Sequence, residues 1–258
     1  MGKWHSSMKQ ALHDQSRVRF AAVGDLHCRK TSIGQFSDMF VRASAEADVV
    51  LLCGDLTDYG LPDEARILAD ELSVATVPVV AVLGNHDFES DEEEHVSRIL
   101  SDGGVQVLDG EACEIHGVGI AGIKGFAGGY GSGALGTWGE RVTKQFVNEA
   151  IGEALKLEAA LARLRTNRRI VLMHYAPVVD TVRGEPIEIF AFLGSSRLAE
   201  PLSRYPVDWV VHGHAHRGSP EGASVDGTRV FNVAMPLLKR LYPDQPGYRL
   251  LDVEVDRP

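Results

Sequence analysis

Three short apolar runs early in the chain each break abruptly into a polar motif at the same relative point. Val18–Asp25 (VRFAAVGD) runs into Asp25-Leu26-His27. Asp48–Cys53 runs into Gly54-Asp55, and Pro78–Leu83 into Gly84-Asn85-His86-Asp87. Runs so short and so evenly apolar predict strands buried on both faces. The segments between them predict helices. Gln35–Ala47 spaces Phe36, Met39, Phe40 and Ala43 at helical intervals, Pro62–Leu72 places a proline in its first turn, and Glu89–Leu100 follows the third run. The order β-α-β-α-β-α constrains the fold to an α/β sheet with largely parallel strands. Such sheets gather their ligands beyond the strand ends, where all three motifs fall.

The texture changes after Val105. Short strands are predicted at Val105–Leu108, Ala112–His116 and Gly119–Ala121, and glycines crowd the stretch from Gly117 to Gly139. A long helix is predicted over Glu140–Leu164. The strand Arg169–Met173 ends in His174, a helix is predicted over Leu193–Arg204, and the strand Asp208–Val211 ends in His212-Gly213-His214-Ala215-His216. The tail alternates as strands at Ala223–Val225, Thr228–Ala234 and Tyr248–Val255. Neither a linker nor a repeat interrupts this pattern. The expected organisation is a polar arm at 1–16, then a single domain over 17–258 with a Gly-rich loop and helical insertion at about 117–165.

Each motif alone is weak; five in order, each at a predicted strand end, are specific. Their residue types suit a pair of divalent ions, which can clamp a phosphoryl group and acidify water. Imidazoles and carboxylates are ligands of the right intermediate hardness. Asp55 is the natural bridge between two ions, because carboxylates bridge readily and neutral imidazoles do not. Asn85 offers an amide oxygen without adding negative charge beside a phosphate.

The ordered blocks resemble those of the calcineurin-like metallophosphoesterase superfamily from Asp25 to His216, with no block missing. The resemblance implies a four-layered α/β/β/α sandwich of two mixed β-sheets flanked by helices, with the metal site at strand ends. It implies that Asp25, His27, Asp55 and His216 hold one ion, and that Asp55, Asn85, His174 and His214 hold the other. It implies that His86 stays unliganded beside the leaving group. Mn, Fe or Zn are the ions that such sites take, and the ligand set accepts all three. Relatives carry a similar Gly-Asp-x-x-Asp, here Gly54-Asp55-Leu56-Thr57-Asp58, whose second Asp orients the histidine of the Asn-His block; Asp58 is therefore the expected partner of His86. Its alternative role is a cap on the helix starting near Pro62.

Other polar residues are assigned more plainly. His5, His13, His95 and His116 fall outside every motif and are expected at the surface or in satisfied roles. His212 is expected to be structural, while Asp87 is equally well a turn residue or a support behind the ligands. Two Gly-x-Gly-x-x-Gly matches, at Gly117 and Gly131, lack the strand-to-helix setting of a dinucleotide site. The glycine-dense stretch is expected to be a flexible loop facing substrate, with Phe126, Tyr130 and Trp138 either anchoring it or packing on a substrate ring.

Composition narrows the substrate. The 258 residues carry a net charge of −10, which argues against a long electrostatic footprint for nucleic acid and leaves a small or nucleotide-like phosphoester. No arginine adjoins the Gly-Asp or Asn-His blocks, which tilts the expectation towards a phosphodiesterase over a phosphomonoesterase; Arg29 and Lys30 keep the second open. A nuclease or a non-catalytic scaffold of the same fold are the remaining alternatives. Three cysteines without disulfide spacing, no apolar leader and no run long enough for a bilayer predict a cytoplasmic protein.

Overall fold

The computed structural model describes residues 17–255; the arm expected at 1–16 lies outside them, as do His5 and His13. Two mixed sheets face each other. The first has the order β11-β1-β2-β3-β4, where β1 is Arg17–Val23, β2 Val49–Cys53, β3 Val79–Val82, β4 Val105–Val107 and β11 Arg249–Glu254. β1 to β4 run parallel and β11 closes the edge antiparallel to β1. The second has the order β5-β6-β7-β8-β10-β9, built from Glu111–Ile115, Val118–Gly122, Arg168–Leu172, Trp209–His212, Arg229–Asn232 and Glu221–Ala223 respectively. Its central strands β6, β7, β8 and β10 are parallel, and β5 and β9 are antiparallel edges.

The pleat explains why the apolar runs do not alternate. In β1, Phe20 and Ala22 point between the sheets, where they join Leu51, Val80, Ile120, Ile170, Val211 and Phe231. Their neighbours Ala21 and Val23 point outward, with Val50 and Leu52, onto helices α1 (Ser37–Glu46), α2 (Pro62–Leu72) and α3 (Glu93–Asp102), which supply Phe40, Leu68 and Leu100. On the far side, Ala121, Val171 and Val210 pack against Leu157, Ala160 and Leu161 of the long helix α4, Arg141–Arg163. The result is the expected four layers, α/β/β/α. Leu51 is fully buried between the sheets; truncating it to alanine would cost about 2–5 kcal/mol.

Three elements differ from expectation. Ser196–Ser203, within the helix predicted over Leu193–Arg204, is 3-10 instead; in an α-helix the Pro201 ring would clash with the carbonyl four residues back. The helix expected from Glu89 begins at Glu93, after a separate 3-10 turn at His86–Phe88. Met235–Leu241 forms a helix, α5, within the tail expected to be all strand; Pro236 occupies its first turn.

Candidate metal centre

The loops that follow β1, β2, β3, β7 and β8 meet at one edge of the sandwich and are laced together by their backbones. Asp25 N donates to Gly54 O at 2.9 Å, His27 N to Asp55 O at 3.0 Å, and Gly213 N to His174 O at 3.2 Å. Asp25, His27, Asp55 and His214 all adopt positive φ, between 46° and 69°. Non-glycine residues rarely take this left-handed conformation, and when they do it is commonly at a functional site.

The glycines before the motif residues have a steric cause. A Cβ on Gly84 would lie 2.2 Å from Asp55 Oδ1, and one on Gly54 would lie 2.6 Å from His174 Nδ1. Each glycine therefore lets one motif pack directly on another.

Around Asp55 the hydrogen-bond pattern fixes the imidazole tautomers. His174 Nδ1 is 2.9 Å from the Cys53 carbonyl, and His214 Nε2 is 3.1 Å from the Phe192 carbonyl. A carbonyl can only accept, so each of these nitrogens carries its ring's proton and the other nitrogen is a bare lone pair. Those lone pairs converge. His174 Nε2 lies 3.0 Å from Asn85 Oδ1, 3.1 Å from His214 Nδ1 and 3.3 Å from Asp55 Oδ1. Burial keeps both rings neutral, holding His174 far below the usual imidazole range and His214 at about 3. Two bare imidazole nitrogens thus face an amide oxygen and a carboxylate oxygen, an arrangement that a cation would satisfy.

A second group joins it through the other side of Asp55. Asp25, His27 and His216 bring donor atoms within 4.8 Å of one another, and His27 Nε2 lies 3.8 Å from Asp55 Oδ2. Asp25 accepts from His214 N at 3.0 Å and touches His216 Nε2 at 2.9 Å. Both ring nitrogens of His27 are buried, and neither makes a hydrogen bond. An orphaned buried polar atom is costly, and a cation at Nε2 would remove that cost. The carboxylate of Asp55 is pushed well above its usual range by burial, and further by the nearby carboxylates Asp25 and Asp87. The donors in both groups, and the excess of negative charge, therefore fit divalent ions.

All nine residues singled out by sequence meet here, but Asp58 acts differently from expectation. His86 Nδ1 is 2.8 Å from the main-chain carbonyl of Asp58, not from its carboxylate. The carboxylate turns the other way. Its Oδ1 sits 3.2 Å from His27 Nδ1 and its Oδ2 2.8 Å from Arg29 Nε. The competing cap role is not seen either, since Glu64 is the residue that reaches back, accepting from Tyr59 N at 2.9 Å. His86 is left with a free Nε2, 4.0 Å from Asp55 Oδ2, on a side chain more than a third exposed.

Two supporting residues were open or structural in the sequence. Asp87 is fully buried. Its carboxylate accepts from Thr57 N and Gly84 N at 2.8 Å each and from Thr57 Oγ1 at 2.6 Å, tying the loop after β2 to the loop after β3. His212 is structural, bonded at both nitrogens, to Gly213 O at 2.7 Å and Thr181 Oγ1 at 2.8 Å. His95 and His116 lie on the surface, away from both groups. The glycine-dense loop is not loose: Gly128 N donates to Ala191 O and Gly129 N to Gly194 O, both at 2.8 Å. Phe126 packs on Phe146 and Tyr130 bonds the Ala176 carbonyl, so both anchor the loop, while Trp138 projects into solvent.

Known proteins share this framework. The calcineurin-like phosphoesterase family model matches residues 18–218. A protein named as a probable glycerophosphodiester phosphodiesterase, from Arcobacter nitrofigilis, is 25% identical over 185 residues, 67% of this chain. The match spans 58% of that relative's own length. Among solved structures, the phosphopantetheinyl hydrolase of Mycobacterium tuberculosis superposes with a TM-score of 0.66 at 16% identity, covering 92% of this chain and 96% of that one. The protein TT1561 of Thermus thermophilus gives 0.51 at 16% identity, with 93% and 99% covered; at such identities the likeness is one of fold. With the family model spanning most of the chain and the five motifs gathered at the strand ends of both sheets, this chain belongs to the calcineurin-like phosphoesterase family.

Proposed function

We propose that the protein hydrolyses small phosphoesters with two metal ions, one held by Asp25, His27, Asp55 and His216 and the other by Asp55, Asn85, His174 and His214. The observation that carries this reading is the convergence of the His174 and His214 lone pairs and Asn85 Oδ1 on one oxygen of Asp55, with His27 Nε2 facing the other. When bound, the ions supply Lewis-acid charge for phosphoryl oxygens and lower the pKa of water; Mn, Fe and Zn all suit the donors.

The chain's own groups do the rest. Asp55 presents one oxygen to each half. Asn85 adds a donor without adding charge where a phosphate must sit. The carbonyls of Cys53 and Phe192 hold His174 and His214 with their lone pairs inward. His86, whose Nδ1 proton goes to the Asp58 carbonyl, carries its Nε2 at the open side and, as the imidazolium, is placed to give the Nε2 proton to the departing oxygen.

Phosphodiesters of small or nucleotide-like size are the substrates proposed first. Lys30 is paired with Asp63 at 3.0 Å, and Arg29 spends its Nε on Asp58, so neither cation is free of other partners. The relative named for glycerophosphodiesters supports the same class. Phosphomonoesters are the second reading, favoured by Arg29, whose guanidinium stands one carboxylate away from His27. The net charge of −10 disfavours long nucleic acid. Three free cysteines fit a cytoplasmic setting, and among the described residues no helix is long and apolar enough to cross a membrane.

The test is a panel of bis-p-nitrophenyl phosphate, p-nitrophenyl phosphate, cyclic nucleotides and single-stranded DNA, assayed with metal-loaded and chelated protein. Metal-dependent turnover led by the diesters is expected. Turnover that survives chelation would overturn the metal reading, and turnover led by p-nitrophenyl phosphate would reverse the order of substrates.

A further inference from the structure

The segment 185–192 lies across the loop that carries His214 and His216 and is fastened to it at both ends. At one end the Glu185 carboxylate accepts from Arg217 N at 2.6 Å, next to His216. At the other the Phe192 carbonyl accepts from His214 Nε2 at 3.1 Å. The flanking carbonyls are taken as well, Ala191 by Gly128 N and Leu193 by Ala176 N. Fastened through the Glu185 side chain and these carbonyls, the segment leaves three large apolar side chains exposed. Ile187 is 74% exposed, Phe192 60% and Ile189 38%. Three large apolar side chains within six residues, uncovered, are an unusual surface for a segment otherwise bonded so fully.

We infer that Ile187, Ile189 and Phe192 form the wall on which the non-leaving ester arm of the substrate lies, and that this arm is apolar. The inference rests on the phosphoesterase reading above. Three features select this occupant. The wall is continuous with the centre, since Phe192 itself holds a proposed ligand. The neighbouring His216 is more than a third exposed, so the centre opens on this side. The segment's charges are Glu185, already engaged, and the exposed Glu188, which would repel an anionic arm and leave an uncharged apolar one. A phosphodiester with its phosphorus at the metals would thus lay an alkyl or aryl arm along side chains that water now covers.

Alkyl p-nitrophenyl phosphates from methyl to hexyl, with the leaving group constant, test this on the metal-loaded full chain. Each added methylene should raise kcat/KM about threefold to fourfold until the wall is covered. In Ile187→Ser and, separately, Ile189→Ser, the rise per methylene should shrink while turnover of the methyl ester and metal content stay near wild type. If Ile189→Ser loses metal, Ile187→Ser, whose side chain is the most exposed of the three, decides. A flat series in the wild type, or an unchanged slope in Ile187→Ser, overturns the inference. So does a homodimer, seen by light scattering, that dissociates in Ile189→Ser without any change of slope, because a second copy then covers the wall. If the methyl ester is not hydrolysed at all, the phosphoesterase reading fails instead. Calorimetric affinities of methyl- to hexylphosphonate then judge the wall, a rise with length supporting it and no rise overturning it.

Discussion

At the half of the centre formed by Asp55, Asn85, His174 and His214, each imidazole has one nitrogen fastened to a main-chain carbonyl and the other aimed inward. At the half formed by Asp25, His27, Asp55 and His216, neither imidazole is fastened to a main-chain carbonyl; His216 touches the Asp25 carboxylate instead, at 2.9 Å. Asp25 and His27 sit at positive φ. His27 has no hydrogen bond at either nitrogen, and its approach to Asp58 at 3.2 Å is an ion-pair contact only. On the proposed two-ion reading, the first half would be arranged before an ion arrives and would contribute one carboxylate, shared; the second, with two carboxylates, would be completed by its ion. Preorganisation and charge are thus divided between two pockets that share a single side chain.

The largest effect is expected where the halves meet. Asp55→Ala removes the one group common to both, leaving two cations to face each other unscreened, so both ions and activity should fall to the level of the chelated protein. Retention of two ions per chain with normal turnover, by elemental analysis and assay, would separate the halves completely.

His86 belongs to neither half, which makes it the next test. His86→Ala should keep both ions and lose roughly 10²–10⁴-fold in rate, the range for a general acid. The loss should be smaller for p-nitrophenyl esters, whose leaving group hardly needs a proton. Loss of metal would make His86 a ligand, and an equal loss on good and poor leaving groups would leave it only a phosphate-binding role.

Asp58→Asn should act on one half only. Its carboxylate backs His27, so affinity for the ion of the charge-rich half should fall about 10–100-fold. The His86 contact runs through the main chain and survives, so the dependence on leaving group should not change. Metal titrations and a leaving-group series distinguish the two; a changed leaving-group dependence with intact metal affinity would restore the carboxylate–His86 pairing.

The smallest effect concerns a buried histidine outside both halves. Burial lowers the pKa of His212 to about 4, whereas in the unfolded chain it lies near 6.5 (about the model-peptide value). The unfolded state therefore binds the proton first, and this group costs no stability above pH ~6.5 but progressively more as pH falls towards about 4. His212→Gln, compared with wild type by urea unfolding at pH 7 and pH 5, should show a shallower acid loss with unchanged metal content. Parallel losses would mean that His212 titrates normally.

Much of this was legible in the sequence because it is local. Each proposed ligand ends a run of strand, so the apolar pattern of Val18–Val23 or Val49–Cys53 also fixes where Asp25 and Asp55 emerge. What escaped depends on contacts distant in sequence. Whether Asp58 turns its carboxylate or its carbonyl to His86 is decided by Arg29 and His27 competing for the carboxylate. Asp87 sits in a Gly-Asn-His-Asp block like any turn residue, and only the fold brings Leu56 and Thr57 to it from thirty residues away. The carbonyl of Phe192 has no signature, since any residue could supply it. The glycine-dense loop suggested mobility, yet Gly128 and Gly129 are bonded to the segment over His214.

Loading the protein with Mn²⁺ and recording both metal content and the electron paramagnetic resonance spectrum tests the shared carboxylate most directly. Two ions per chain with a spin-coupled spectrum, lost in Asp55→Ala, are the expected result. One ion per chain, or two whose spectrum is that of isolated Mn²⁺, would contradict a centre joined at Asp55.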